Sequence, residues 1–266
     1  MLKRTASAWK LSNCLRPSAA PENVMNEDTH NREERDEAVS DRLGRLRPVF
    51  MTLIGLAFSA ALLLTGGRWN WIEGWVVAGI FTAYLIGTSL WAARYAPGLS
   101  RERARAVARP GSLHEQVILV WVVADHVALI VVAALDGGRY GWSRVPAGVE
   151  VAGFALFGMY ILLNLWVMVS NPFLSAVARI QEERGHHVIT SGPYRVIRHP
   201  MYAAVCLMGI AVPLCLGSWW ALVPGGLLIL TFVYRTWQED RFLAAMLPGY
   251  EEYALQTRYR LLPGIW

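Results

Sequence analysis

The sequence predicts an all-α integral membrane protein with about six transmembrane helices, the last two forming a hairpin. Three observations predict it. Of the 266 residues, 55% are hydrophobic and only 17% are charged, so the chain is more apolar and less charged than a soluble domain. Apolar runs recur at lengths close to what a helix needs to cross a bilayer. Lys and Arg fall almost wholly on alternate connections, which is the positive-inside pattern.

The elements follow in chain order. Residues 1–47 are polar; the first twenty are basic and free of acids, and a stretch of mixed charge follows. They contain no apolar h-region, so they do not read as a secretory signal. Their composition predicts a disordered extension. A transit-like peptide and a start at Met25 are the other readings of this segment. A four-span region then covers 48–170, with apolar runs at 49–65, 71–93, 117–135 and 151–169. The last region, 171–266, contains two shorter runs, 201–216 and 219–234, separated only by Gly217-Ser218. They read as a helical hairpin over 201–236, with Pro213 and Pro224 as candidate kinks.

With the N-terminus inside, segments 1–48, 94–116, 170–200 and 235–266 hold 9, 5, 4 and 4 Lys and Arg, or 22, against Arg68, Arg139 and Arg144 outside. Both termini are therefore expected on the cytoplasmic side. The net charge of +5 belongs to that membrane surface and its lipids, which excludes nucleic acid as the partner. The three cysteines, Cys14, Cys206 and Cys215, show no metal-ligand spacing and read as small apolar residues, so no metal site is expected. A hairpin returns to the side it left. Segments 171–200 and 235–266 should therefore meet at one membrane surface.

Polar chemistry concentrates where they meet. In TSGPYRVIRHPMYAA, residues 190–204, Pro200 suits the first turn of a helix and pushes His199 toward an extended conformation. The helix start offers backbone N–H groups to an anion, with Arg198 and His199 beside it. A plain helix cap with an interfacial arginine is the competing reading. Arg235 and Glu239, four apart, share a helix face. They read either as a structural ion pair or as site residues. The tail EEYALQTRYRLLP is basic and aromatic, suited to lying on the bilayer. Asp125, His126, Glu150 and Asn164 within or beside the spans are expected to be hydrogen-bonded inside the bundle.

Taken together, RIQEERGHHVITSGPYRVIRHPMY, a short hairpin, RTWQEDRFL and PGYEEY resemble the isoprenylcysteine carboxyl methyltransferase family and its phospholipid methyltransferase relatives. The resemblance spans 179–263. It implies S-adenosylmethionine as methyl donor, in a cytoplasmic pocket unlike the Rossmann type, and the chain indeed has no G-x-G-x-x-G. Carried over position by position, it assigns donor binding to Gln181, His186, His187, Val188, Ile189, Tyr194, His199, Pro200, Met201, Tyr202 and Glu239. It assigns the acceptor to Arg235. Two positions depart from the family pattern. Asp240 stands as the second acid of the glutamate pair, and Ala203 and Ala204 stand where a glycine is frequent.

A carboxylate acceptor is already ionised at neutral pH and needs a cation rather than a base. An arginine therefore favours a lipophilic carboxylate, as in an isoprenylcysteine, arriving from the bilayer. An N-methyltransferase acting on a phospholipid amine shares the donor site and differs at the acceptor. An NADPH-dependent reductase of the sterol type has a similar C-terminal half but favours Asn at the place of Met201; Arg184 or Arg195 would then meet the 2′-phosphate. A transporter predicts internal repeats and broken midplane helices, and neither is evident.

Overall fold

The computed structural model describes residues 22–108, 112–175 and 179–266, the side chains of 22–41, 43 and 104–108 excepted. The chain divides into two units, Met1–Arg42 and Leu43–Trp266. Cys14 and the rest of 1–21 lie outside the described residues. Helix α1 (Glu22–Gly66) begins within the polar extension. Residues 22–43 contain neither Gly nor Pro and are rich in Glu and Arg, a composition that favours helix despite its polarity.

Seven more α-helices follow among the described residues, and no strand: α2 (Ile72–Tyr95), α3 (Pro97–Ala108), α4 (Leu113–Ala133), α5 (Ala147–Ser170), α6 (Pro200–Cys215), α7 (Leu222–Met246) and α8 (Tyr250–Gln256). The chain is all-α, as expected. Four stretches are long and apolar enough to cross a membrane: Gly44–Gly66, Ile72–Tyr95, Leu113–Tyr140 and Ala147–Ser170. Only 17–33% of each is buried, so their apolar side chains face outward, as lipid contact requires. Helix α6 is shorter. Helix α7 runs on past Tyr234 to Met246, so the expected hairpin arm and the polar exit segment form one rod. Pro213 lies inside α6, whereas Pro224 sits in the first turn of α7, where its missing N–H leaves no ladder bond broken.

Polar contacts gather the helices at two places. At one end Ser100 Oγ donates to Gly44 O (3.3 Å), and Gln238 Nε2 lies 2.6 Å from His114 Nε2, which gathers α1, α3, α4 and α7. At the other end α4 continues into a π-helical turn, Ala134–Tyr140, and places the fully buried Asp136 against the α6–α7 turn. Asp136 accepts from Ser143 N (2.7 Å), Ser143 Oγ (2.6 Å) and Ser218 Oγ (2.6 Å). Ser218 Oγ in turn accepts from Ala221 N at the start of α7. Gly217 turns the hairpin with φ +69°, a conformation that a side chain resists. Arg68 and Arg139 at this end donate to Gly137 O and Leu64 O.

The core between these ends joins Leu62, Leu129, Phe157, Met208, Leu228 and Phe232 from five helices. Within the hairpin, α6 and α7 cross backbone to backbone: a Cβ on Gly209 would lie 2.9 Å from Gly225 O. Three of the four polar residues expected to bond inside the bundle do so, whereas for Glu150 burial is slight. Asp125 accepts from Thr231 Oγ1 (2.8 Å), His126 Nδ1 sits 2.6 Å from Val122 O, and buried Asn164 reaches Tyr160 O (3.5 Å).

Replacing Asp136 with Ala leaves two serine hydroxyls and a backbone N–H without their acceptor in a dry turn. We expect a loss of about 3 kcal/mol or more, read as a lowered midpoint of thermal unfolding in detergent. An unchanged midpoint would remove Asp136 as the clamp of that end.

Candidate active site

The buried positions of α7 repeat every four residues: Pro224, Leu228, Phe232, Thr236 and Asp240. Arg235, Glu239 and Leu243 share the same spacing one residue earlier or later. Helix α7 thus carries two stripes past the end of the apolar core, one ending on an acid that faces inward and one on an acid that faces a cavity.

Asp240 collects the segments around the site. Its Oδ1 accepts from Tyr250 OH (2.8 Å) and lies 3.2 Å from His199 Nε2. Its Oδ2 accepts from Arg260 Nε (2.8 Å) and Arg198 Nη2 (3.2 Å). Arg198 Nε is also 3.1 Å from Oδ1, an ion-pair contact without the alignment of a hydrogen bond. Burial alone raises a carboxyl pKa. Here the hydrogen bonds from His199, Tyr250 and Arg260 and the charge of Arg198 outweigh it and hold Asp240 well below the usual carboxylate range.

The backbone repeats this tie. Arg198 N donates to Tyr259 O and His199 N to Arg260 O, both at 2.9 Å, so the entry to α6 is paired with the C-terminal tail. The tail is therefore more than a surface strip. Tyr250, Tyr253 and Leu261 are buried against the entry, while Leu255, Leu262 and Ile265 stay exposed. His199 caps α6 as expected, with Pro200 at its first position. Its imidazole, however, is turned to Asp240 and stacks parallel to the Tyr202 ring at 5.8 Å. Arg198 likewise serves Asp240, so the side chains read as flanking an anion are already matched by one.

A cavity opens beside this cluster. It is lined by ten of the eleven residues assigned to donor binding: His186, His187, Val188, Ile189, Tyr194, His199, Pro200, Met201, Tyr202 and Glu239. Gln181 is the exception. Fully buried, it donates to Phe173 O (2.6 Å) and accepts from Arg184, so it braces the loop behind the cavity. Arg235 is not on the lining either. Its Nε donates to Tyr202 OH (2.9 Å), and that hydroxyl donates to Glu239 Oε2, which makes Tyr202 a bridge between the two residues expected to pair.

The loop wall is fixed by its own contacts. Asn171 Nδ2 donates to Tyr194 OH (2.8 Å), and Tyr253 OH donates to Tyr194 O (2.8 Å). Burial raises the Tyr194 phenol pKa, so it stays protonated. Burial, then the nearby His187, Arg184 and Arg179, lowers the pKa of His186. Its Nδ1 accepts from Gln181 N (3.3 Å), a role only the neutral ring can fill. Arg179, also on the lining, grips Glu102 of α3 through Nε (2.7 Å) and Nη2 (2.5 Å). Glu102 is buried; α3 and Glu102 had no place in the sequence reading, and Arg179 stood in a quoted motif without a role. Asn171, Phe173, Leu243, Leu247, Tyr250 and Tyr253 also line the cavity without having been singled out. Of these, Leu243, Tyr250 and Tyr253 lay inside quoted motifs, and the four-residue count along α7 points to Asp240.

This arrangement falls inside a stretch with known relatives. Residues 149–248 match the family described as phospholipid methyltransferase. The matched stretch takes in nearly all of α5, the loop wall, the hairpin, Arg235, Glu239 and Asp240, and so most of the cavity. A curated protein similar to this chain is the cobalt-zinc-cadmium resistance protein CzcN of Cupriavidus metallidurans, 42% identical over 86 residues. The match covers 29% of this chain and 37% of that relative, so the chain spans little more than a third of the curated protein it matches.

Asp240→Asn leaves Arg198 buried beside a neutral amide. We expect destabilisation of roughly 3–5 kcal/mol. Because the folded carboxyl titrates far below its unfolded value near 3.9, the stability it contributes is complete above about pH 4 and is lost as the pH falls through the folded value. The gap between wild type and Asp240→Asn in thermal midpoint should therefore be flat from about pH 5 to 8 and close only in acid. A gap that closes between pH 6 and 8 would contradict this account.

Proposed function

We propose that the protein is an S-adenosylmethionine-dependent methyltransferase acting on a lipophilic acceptor at the cytoplasmic membrane surface, with both termini on that side. One observation carries the reading: the hairpin brings the His199–Tyr202 entry of α6 and Glu239 of α7 onto one cavity at the end of an apolar bundle. The family match over 149–248, a family of membrane methyltransferases, supports it.

The lining suits the donor's chemistry. Glu239 offers a carboxylate to an ammonium or to ribose hydroxyls. In the first turn of α6 the N–H groups of Tyr202 and Ala203 are taken by His199 O and Pro200 has none, so Met201 N–H is the one the turn would offer to a carboxylate. Tyr194 and Tyr202 offer aromatic faces to adenine or to the sulfonium. Bound S-adenosylmethionine supplies an electrophilic methyl group. The chain's own part is to orient and to exclude water. His199 and Arg198 act at one remove: held by Asp240, they fix where α6 begins and so where Tyr202 points.

At the acceptor, Arg235 stands at the boundary between the apolar core and the polar end. Tyr202 takes its Nε–H, which orients the guanidinium plane. A cation placed so favours a carboxylate, ionised without a base, and we assign the reaction to carboxyl O-methylation of an isoprenylcysteine-like lipid that enters from the bilayer between helices. A second reading, methyl transfer to a phospholipid amine, is favoured by the description of the matched family. It would require a base to take the ammonium proton, and Glu239 is the carboxylate on the cavity.

Calorimetry of the detergent-purified chain tests the donor. We expect S-adenosylmethionine to bind and both Glu239→Ala and His199→Ala to weaken it by about tenfold or more. Binding of NADPH in its place would overturn the reading in favour of a reductase. Arg235→Gln separates the acceptors. Methyl transfer to a lipid carboxylate should fall by about a hundredfold with donor affinity kept; undiminished transfer to a phospholipid amine would decide for the second reading.

A further inference from the structure

A second polar cluster lies away from the cavity, among α1, α2 and α3. Pro48 has no N–H to give Gly44 O, and Ser100 Oγ of α3 takes that carbonyl instead (3.3 Å). A Cβ on Gly44 would lie 3.6 Å from Arg101 Cγ, so the two helices meet closely there. One turn further along each helix stand Arg47 and Arg103. Arg47 Nη1 is sealed from solvent and has no hydrogen-bond partner. The charges of Arg47 and Arg103 act on each other, and both act on the hydroxyl of Tyr84 in α2. Among the described residues, no carboxylate is an electrostatic neighbour of either guanidinium.

Two half-buried like charges repel and lose hydration, and arginine cannot escape by giving up its proton. Elsewhere at this end the charges are matched: Arg198 and Arg260 by Asp240, Arg179 by Glu102. We propose that Arg47, Arg103 and Tyr84 form a binding site for a phosphate ester, separate from the methyl-transfer cavity, between the first three helices. Guanidinium forks match tetrahedral oxyanions, and the tyrosine hydroxyl adds a third donor. The depth also fits. Val49, Phe50 and Leu53 beyond Arg47 are exposed apolar residues, so Arg47 lies where a bilayer changes from acyl chains to phosphates. None of the three residues lines the cavity described above. The site stands independently of the proposed reaction.

The test is thermal unfolding of the delipidated full chain in maltoside, which contains no phosphate. Phosphatidylglycerol, inorganic phosphate or potassium chloride at matched ionic strength is added, with Arg47→Met and the exposed-site control Arg94→Met in parallel. We expect a phosphate source to raise the wild-type and Arg94→Met midpoints by about 3 °C or more above the chloride control. A rise with phosphatidylglycerol alone assigns the site to a lipid headgroup; one with inorganic phosphate assigns it to a soluble ester. Arg47→Met should lose the rise and yet be no less stable than wild type in phosphate-free maltoside, because it removes an unbalanced charge. The proposal is overturned if neither source acts beyond chloride, if Arg47→Met keeps the rise, or if that variant is already destabilised without phosphate. The last result would mark Arg47 as a structural arginine.

Discussion

The carboxylate of Asp240 is the constraint on which the polar end of this protein depends. It is buried, and four side chains from three separate parts of the chain converge on it. Two belong to the entry of α6, one to α8 and one to the tail. Without that negative charge Arg198 would be a buried cation, and nothing else in the cluster would fix the direction in which α6 starts. The backbone pairing of 198–199 with 259–260 adds register, but those two hydrogen bonds would not by themselves hold a charged segment against a helix. The cavity is thus a consequence of a charge balance beside it, and its lining side chains inherit their positions from residues they do not resemble chemically.

A second constraint acts at the opposite end, where Asp136 closes the α6–α7 turn against the end of α4. The hairpin is anchored at both ends by an acid and tightened between them by the Gly209–Gly225 crossing. The two ends differ in chemistry. At the Asp136 end every partner is a serine hydroxyl or a backbone group, and the arginines there only cap helix carbonyls. At the Asp240 end the partners are arginines, a histidine and a tyrosine beside an open space. A polar cofactor and a lipid can meet only where polar lining and apolar core adjoin. In this bundle that junction falls between Arg235 and Asp240.

The fold was legible because membrane helices are written in runs of apolar residues, and α1, α2, α4 and α5 each overlap such a run. The hairpin was legible from Gly217-Ser218. What escaped were features set by side-chain partners rather than by hydropathy. The helix from Glu22 to the membrane is polar throughout, so hydropathy missed it although its composition favours helix. Helix α3 was missed because it is short and charged. At the site, the motif placed ten residues on the cavity, since residues near in sequence and a hairpin pair are enough to define a wall. Gln181 lies off the lining, its amide bonded to Phe173 O and to Arg184, and the motif undervalued Asp240. Adjacent acids on a helix point about 100° apart, so Glu239 and Asp240 cannot do the same work. Only the four-residue ladder from Leu228 through Phe232 and Thr236 says which one is inside.

The same ladder explains why Arg235, Tyr202 and Glu239 form a chain rather than a simple pair. The i,i+4 spacing puts Arg235 and Glu239 on one face of α7, and α6 crosses that face with Tyr202 between them. A direct ion pair at a membrane boundary would neutralise both groups and leave the site inert toward either a cation or an anion. Both groups bond the same phenol, Glu239 on the cavity lining and Arg235 off it, and these hydrogen bonds run from guanidinium to phenol to carboxylate. The arrangement comes from the crossing of two helices that the glycine contact holds close.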